Sequence, residues 1–268
     1  VVKQLINFGV QSKPKHLIIG CTTMPGYCDK VNEKLHPFGY LVSYNPEFIA
    51  QGSILNDLVN PDIILIGEGS KSAGHKIKEV YLSILKNKPT IHKMSRKEAE
   101  ITKIALNCFL TTKIAFANMV GDIAQTSDSD PSTILNAIGS DSRVGNEYLK
   151  YGFGFGGPCL PRDNKALANY AGELGINALI SIASDESNSQ HLQYQIAYFI
   201  QNNSIDKPVY IYGVTYKKNT EIIEESQQLK FALALVKSGY KVIIEECENV
   251  IKEIKKLYPN LFEFKLKS

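Results

Sequence analysis

The sequence lacks the features that mark several large functional classes. Its five cysteines, Cys21, Cys28, Cys108, Cys159 and Cys247, include no C-x-x-C pair, which removes the usual signature of a zinc ribbon or a redox disulfide. No metal site is expected, and an odd, scattered set of thiols fits a reducing, cytoplasmic compartment. Basic residues barely exceed acidic ones, 30 against 27, and no basic run is interleaved with aromatics, so a nucleic-acid partner is not expected. No apolar run reaches the roughly 20 residues of a membrane helix, because the most apolar stretch, from Ile104 onward, is broken by Asn107 and Lys113. No membrane partner is expected. The chain opens Val1-Val2-Lys3, with neither an initiator Met nor a charged-then-apolar leader, and the expectation is that the protein starts further upstream.

What is present is a globular composition. With 268 residues and 44% hydrophobic content, the chain can bury an ordinary core in about two domains. From Lys15 to Met94, short β-branched runs (His16 to Ile19, Leu41 to Tyr44, Ile63 to Ile66, Thr90 to His92) alternate with helical stretches such as Ser70 to Leu85. That alternation predicts half of an α/β domain with a mainly parallel sheet. A helix is expected from about Lys97 to Ala124, apolar on almost every side and therefore buried between domains or subunits. Asp130-Pro131 opens another helix, and two more run from Pro161 to Leu174 and from Ile180 to Ile200. After Pro208 the pattern returns to strand (Val209 to Tyr212), helix (about Ser226 to Lys237) and strand (Lys241 to Ile244). This second α/β domain is short, roughly 60 residues against a mode of about 100 to 150, and is expected to be cut off after about Glu246.

Gly152-Phe153-Gly154-Phe155-Gly156-Gly157 formally matches the dinucleotide fingerprint G-x-G-x-x-G. Its context is wrong, because the pattern before it, Asn146 to Lys150, reads as helical where a strand is needed, and Pro158 follows it.

Three constellations carry chemistry. Cys159, between Pro158 and Pro161, is placed near a helix N-terminus, where unpaired N–H groups and the helix dipole favour a thiolate. From position alone it reads first as a small buried residue, and Asp163 as a helix-start carboxylate, which would cap the helix or hold a water near the sulfur. Lys103 and Asn107 lie one helical turn apart on one face. A lysine inside such a helix needs either a route to solvent or an anionic partner, which is an oxyanion or Glu100 three residues back. Tyr44 to Gly52 is a strand end running into a polar turn, in which Glu47 serves as acid or base or caps the next helix. The Thr22-Thr23-Met24-Pro25-Gly26 turn is a similar strand-end loop.

In this order the segments resemble the UDP-glucose/GDP-mannose dehydrogenase family. Thr22 to Pro25 is similar to its Ser-Thr-x-Pro loop, Asn45 to Phe48 to its Asn-Pro-Glu-Phe motif, and Gly154 to Asp163 to its Gly-Phe-Gly-Gly-x-Cys-x-x-(Lys/Arg)-Asp loop. Lys103-x-x-x-Asn107-x-Phe109-Leu110 and Ile138-Gly139-x-Asp141-x-Arg143-Val144-Gly145 stand where the family has them. The resemblance covers Lys15 to about Lys237.

The resemblance implies an α/β fold in three parts: an incomplete, N-terminal Rossmann-like NAD-binding domain (residues 1–94), a central helical and dimerisation domain with a long buried helix (95–204), and a short second Rossmann-like domain for the UDP-sugar (205–268). It implies NAD as cofactor and oxidation of the C6 alcohol of a nucleotide sugar, UDP-glucose before other UDP- or GDP-sugars, to the carboxylate. Cys159 would form a thiohemiacetal and then a thioester, Lys103 and Asn107 would hold the C6 oxygen, and Asp163, Glu47 and Thr23 would serve proton transfer and hydrolysis. Phe48, Ile49, Ala50 and the run Tyr148, Leu149, Lys150 would line the substrate. Gly156, Leu160 and Lys217 complete that lining, and Arg143 would reach a neighbouring subunit's site. Thr22, Thr23 and Gln51 would face the cofactor. A homodimer or larger homo-oligomer through the helix 97–124 is also implied.

Three departures accompany the match. The family's first βαβ unit has no counterpart in the sequence, Gln51 stands where relatives carry a second glutamate, and Glu224 replaces an arginine. The alternative they leave is a catalytically inactive relative that keeps nucleotide-sugar binding and dimerisation.

Overall fold

A computed structural model of the 268-residue chain describes residues 1–49 and 52–267, which form two compact units, Val1–Leu106 and Asn107–Ser268. In the first unit, helix α1 (Val2–Asn7) precedes β1 (Lys15–Ile19), α2 (Tyr27–Leu35), β2 (Tyr40–Tyr44), α3 (Ile54–Val59), β3 (Ile63–Gly67), α4 (Lys71–Ile84) and β4 (Thr90–Met94). The strands form one sheet in the order β1-β2-β3-β4. β1 and β2 run parallel from Lys15↔Tyr40 to Ile19↔Tyr44, and β3 and β4 parallel from Ile63↔Thr90 to Gly67↔Met94. A single antiparallel pair, Tyr44↔Gly67, joins the halves, so the sheet is mainly parallel as the alternation of strand and helix requires. Ile64, Leu65 and Ile66 of β3 are all buried, the mark of a strand covered on both faces. Leu65 packs with Cys28, Val31, Leu35, Val42, Tyr44 and Ala99, and the neighbouring Ile64 and Ile66 pack with Ile77.

Helix α5 (Arg96–Thr126) begins in the first unit and continues into the second. There it is followed by α6 (Pro131–Gly139), α7 (Leu160–Glu173), α8 (Leu179–Asn202), β5 (Val209–Tyr212), α9 (Gln227–Lys237), β6 (Val242–Glu246), α10 (Glu248–Leu257) and β7 (Glu263–Leu266). Asp130 caps α6, accepting from the amides of Ser132 and Thr133. β5, β6 and β7 form a second parallel sheet joined by helical crossovers, over a core of Val214, Leu235, Ile244, Val250 and Ile254.

Three expectations change. α10 and β7 extend the second α/β region beyond Glu246. Asn146 to Lys150 is not helical but a single turn closed by the Leu149 amide on the Asn146 carbonyl, because Tyr148 takes a positive φ of 61° just after Gly145 at 72°. The glycine run still lacks the strand that the fingerprint needs. Finally, α5 is not buried all round: Phe109 is 62% exposed and Ile123 62%, with Phe116 and Met119 between them on the same stripe. By length and composition alone α5 is the one helix among the described residues that suffices to cross a membrane, since averaging over its length outweighs the interruptions at Asn107 and Lys113. Its polar residues are nonetheless engaged by protein, with Lys113 donating to the carbonyls of Val144 and Gly145.

Candidate active site

In the first unit, the loop after β1 folds around a carboxylate supplied by α5. Glu100 is fully buried and accepts from Thr23 Oγ1 at 3.0 Å, the Cys28 amide at 2.8 Å and the Gly26 amide at 2.6 Å. Gly26 is the N-cap of α2, so the carboxylate satisfies amides that a helix start leaves without partners. Thr23 spends its only hydroxyl proton on Glu100 and can meet any further group only as an acceptor. Thr22 beside it is half-buried.

One turn along α5, Lys103 is 8% exposed. Its Nζ donates to the Glu47 carbonyl at 2.7 Å and lies 4.3 Å from the centre of the Phe48 ring, an arrangement that suits a desolvated cation. The Glu47 side chain is exposed, and α3 starts only at Ile54 with Ser53 as its N-cap, so Glu47 does not cap the next helix. Phe48 packs against the core around Tyr44, and Ile49 is half-buried. Ala50 and Gln51 lie outside the described residues.

In the second unit, Cys159 is exposed and is the N-cap of α7, with Pro161 in the first turn. Its carbonyl accepts from the Asp163 amide at 2.8 Å, which opens the helix. The loop before it leaves no room for a side chain at Gly154, Gly156 or Gly157. Gly157 has φ +79°, its amide donates to the Glu224 carbonyl at 3.1 Å, and a Cβ there would enter the Tyr216 ring. A Cβ at Gly154 would run into Asn188 Oδ1. Burial first, and then the neighbouring Cys159 sulfur, push the Tyr216 phenol above its ordinary range. Tyr216 is therefore a site residue that the sequence reading misses; its only signal there is its place beside Lys217.

Asp163 is 1% exposed. Its Oδ2 accepts from Asn107 Nδ2 at 2.7 Å and its Oδ1 from Arg162 Nε at 3.0 Å, with Arg162 Nη2 2.9 Å away. Asp163 is thus a buried, charge-paired group and not a cap, and its two oxygens explain Asn107 and Arg162 together. Cys108, next to Asn107, donates to the Asp163 carbonyl, and burial, then the Asp163 charge, push its thiol up to about 12. Cys108 stays a thiol, whereas Cys159 is open to a reactant.

The remaining residues singled out in the sequence sit as follows. Gly156 is buried against the Glu225 carbonyl, Leu160 is the first residue of α7, and Lys150 and Lys217 are exposed. Tyr148 is largely exposed, while Leu149 packs with Ala117 and Leu135. Arg143 is exposed and forks onto Asp141, Nη2 to Oδ2 at 2.7 Å. Glu224 is exposed, and it is its carbonyl that holds the glycine loop.

An exposed sulfur beside a buried carboxylate and amide suits covalent capture of a carbonyl carbon followed by hydrolysis. Among the described residues no strand runs into a G-x-G-x-x-G turn and helix, so they do not themselves form a seat for a dinucleotide pyrophosphate; the β1 loop is instead closed around Glu100.

Residues 2–85 match the UDP-glucose/GDP-mannose dehydrogenase family, NAD binding domain, and residues 97–190 its central domain. The match to the NAD binding domain supports NAD as the cofactor. The chain is 29% identical to the UDP-glucose 6-dehydrogenase of Pseudomonas aeruginosa over 246 residues, 87% of this chain and 54% of the relative. It is 32% identical to that of Rickettsia conorii over 226 residues, 82% of this chain and 51% of the relative. Thus the chain spans about half the length of the curated relatives it matches. Among solved structures, a UDP-glucose dehydrogenase from the hyperthermophilic archaeon Pyrobaculum islandicum superposes with a TM-score of 0.88 at 28% identity, covering 99% of this chain and 61% of the other. The two domain matches and the consistent run of relatives lead to one conclusion: this chain belongs to the UDP-glucose/GDP-mannose dehydrogenase family.

Proposed function

We propose that the protein to which this chain belongs is an NAD-dependent dehydrogenase that oxidises the C6 alcohol of a nucleotide sugar, UDP-glucose first, to the carboxylate, with Cys159 as nucleophile. The observation that carries this reading is the pairing of an exposed Cys159 at the start of α7 with a buried Asp163 held by Asn107 and Arg162. NAD, when bound, accepts the hydride in each of two oxidations.

The chain's own residues supply the rest. Sγ of Cys159 adds to the C6 aldehyde to give a thiohemiacetal; loss of the C6 hydride leaves a thioester, and water cleaves the C–S bond to return the thiol and release the acid. Asn107 retains a second amide proton beyond the one given to Asp163, and on this reading it is donated to the oxygen on C6. The family resemblance gives Lys103, one turn earlier on α5, the same task. Asp163 takes the proton from the hydrolytic water, a role that suits a carboxylate whose charge is held by an amide and a guanidinium. The family resemblance gives Thr23 and Glu47 a part in proton transfer and hydrolysis. Arg143 and Lys217, both exposed, suit a diphosphate by charge. The exposed stripe of α5 through Phe109, Phe116 and Ile123 is the face through which two copies associate.

The test is incubation of the full-length protein with NAD and UDP-glucose. Two equivalents of NADH per sugar are expected, together with loss of acid formation in Cys159→Ser while UDP-sugar binding is kept. Acid formation at the wild-type rate in that variant removes the nucleophile; absence of any oxidation by the full-length protein leaves the inactive relative as the reading.

A further inference from the structure

The glycine loop that ends in Cys159 is pinned at its start by a buried network that the proposed reaction does not use. The Gly152 amide donates to Asn118 Oδ1 at 3.1 Å. Its carbonyl faces Nε2 of His191 at 2.6 Å and accepts from Gln195 Nε2 at 3.2 Å. Further along, Asn188 holds Phe155 by both backbone groups, accepting from its amide at 2.8 Å and donating to its carbonyl at 3.0 Å. Asn188, His191 and Gln195 recur at helical spacing on α8, so one face of that helix grips the loop.

His191 is 2% exposed, and its other nitrogen, Nδ1, lies 2.8 and 2.9 Å from the two oxygens of Asp122. A backbone carbonyl and a carboxylate can only accept, so both ring nitrogens must donate, and only the doubly protonated imidazolium has two N–H groups. A neutral ring would turn a lone pair on the Gly152 carbonyl or on Asp122. The groups that face this pair agree with the assignment. From the loop, the Tyr151 phenol donates to Asp122 Oδ1 at 2.9 Å and its ring packs edge-on against His191 at 5.6 Å. From α5, neutral Gln125 meets the same phenol, and from α8, Tyr194 and Tyr198 border it. Burial and the Asp122 carboxylate hold the Tyr151 phenol well above its usual range, so it remains a donor. Asp122 is the one anion of the group and His191 its one cation.

We infer that His191 is a positioning residue: as an imidazolium bridging Asp122 and the Gly152 carbonyl, it fixes the start of the loop that presents Cys159. Only the use made of that sulfur rests on the dehydrogenase reading. The clamp needs both ring protons, one for Asp122 and one for the Gly152 carbonyl.

Two measurements on the full chain test this. Imidazole nitrogen spectra of isotope-labelled protein, from about pH 5 to about pH 9, are expected to show His191 with both ring nitrogens protonated at neutral pH. A bare nitrogen on His191 at neutral pH in the folded protein overturns the assignment. Hydrogen exchange of residues 153–157 is expected to rise about ten-fold in His191→Ala, the scale of one lost charge-assisted hydrogen bond, with most protection regained in His191→Gln, which keeps a donor for Gly152. Exchange unchanged in both variants overturns the clamp. Should the alanine variant not fold, the spectra and the glutamine variant still decide. Neither measurement involves sugar or NAD. A neutral His191 in a protein that yields two NADH per sugar therefore sinks only the clamp, and a charged His191 in a protein that oxidises no sugar sinks only the dehydrogenase reading.

Discussion

Two buried carboxylates show how the same chemical group is put to different uses. Glu100 is held mainly by backbone donors, two amides at the start of α2, with the Thr23 hydroxyl as its one side-chain donor. Asp163 is held by side chains, the Asn107 amide and the Arg162 guanidinium, the latter 58% exposed. Backbone donors cannot leave without unfolding the turn, whereas side-chain donors rotate away at the cost of a rotamer. Glu100 is thus built to hold a shape, and Asp163 can exchange partners during a reaction.

The comparison breaks most readily at Glu100. Glu100→Ala leaves two amides and a hydroxyl buried without an acceptor and should cost about 3 kcal/mol or more, read from urea unfolding. An unchanged midpoint would show that the turn has another support. Asp163→Asn should cost much less, on the order of 1 kcal/mol, because the Arg162 pair is screened by solvent and the new amide oxygen still accepts from Asn107. The same variant should slow acid formation by about a hundred-fold in single-turnover assays, the scale of a lost general base. Equal losses of stability at the two positions would erase the distinction. The alkaline effect is of a different kind, since it appears only as pH rises. The Cys108 thiol ordinarily ionises near 9 and in the fold near 12, so the unfolded chain releases its proton first and stability should fall as pH rises from 9 toward 12. Cys108→Ala should flatten that slope in urea titrations, and Asp163→Asn should flatten it less, since burial outranks the Asp163 charge as the cause.

Much of the fold is legible in the residues themselves. The β-branched runs Ile63 to Ile66 and Val209 to Tyr212 become strands because their neighbours are turn formers, and Asp130-Pro131 starts α6 by capping chemistry that depends on two residues alone. Cys159 is legible too, through the glycines before it and Pro161 after it. Asn146 to Lys150 misleads because left-handed positions such as Tyr148 carry no mark in a non-glycine residue. α10 does show its stripe, Val250, Ile251 and Ile254, but between lysines and glutamates the stripe is narrow. Partnerships are the least legible part. Spacing pairs Lys103 with Glu100 or with Asn107, while the folded chain sends Lys103 to the Glu47 carbonyl and Asn107 to Asp163, residues 56 positions away in each case. Such partners are set by tertiary packing, which periodicity along one helix does not encode.

The sorting of sulfurs by depth has a consequence for how the protein ages. Cys28 and Cys108 are sealed in packing, while Cys21 and Cys159 face solvent. Peroxide meets the outer pair first, converting thiol to sulfenic and then to irreversible higher acids. On the reading proposed for Cys159, a sample stored without reductant would therefore look native by every optical measure of structure long after its chemistry had gone.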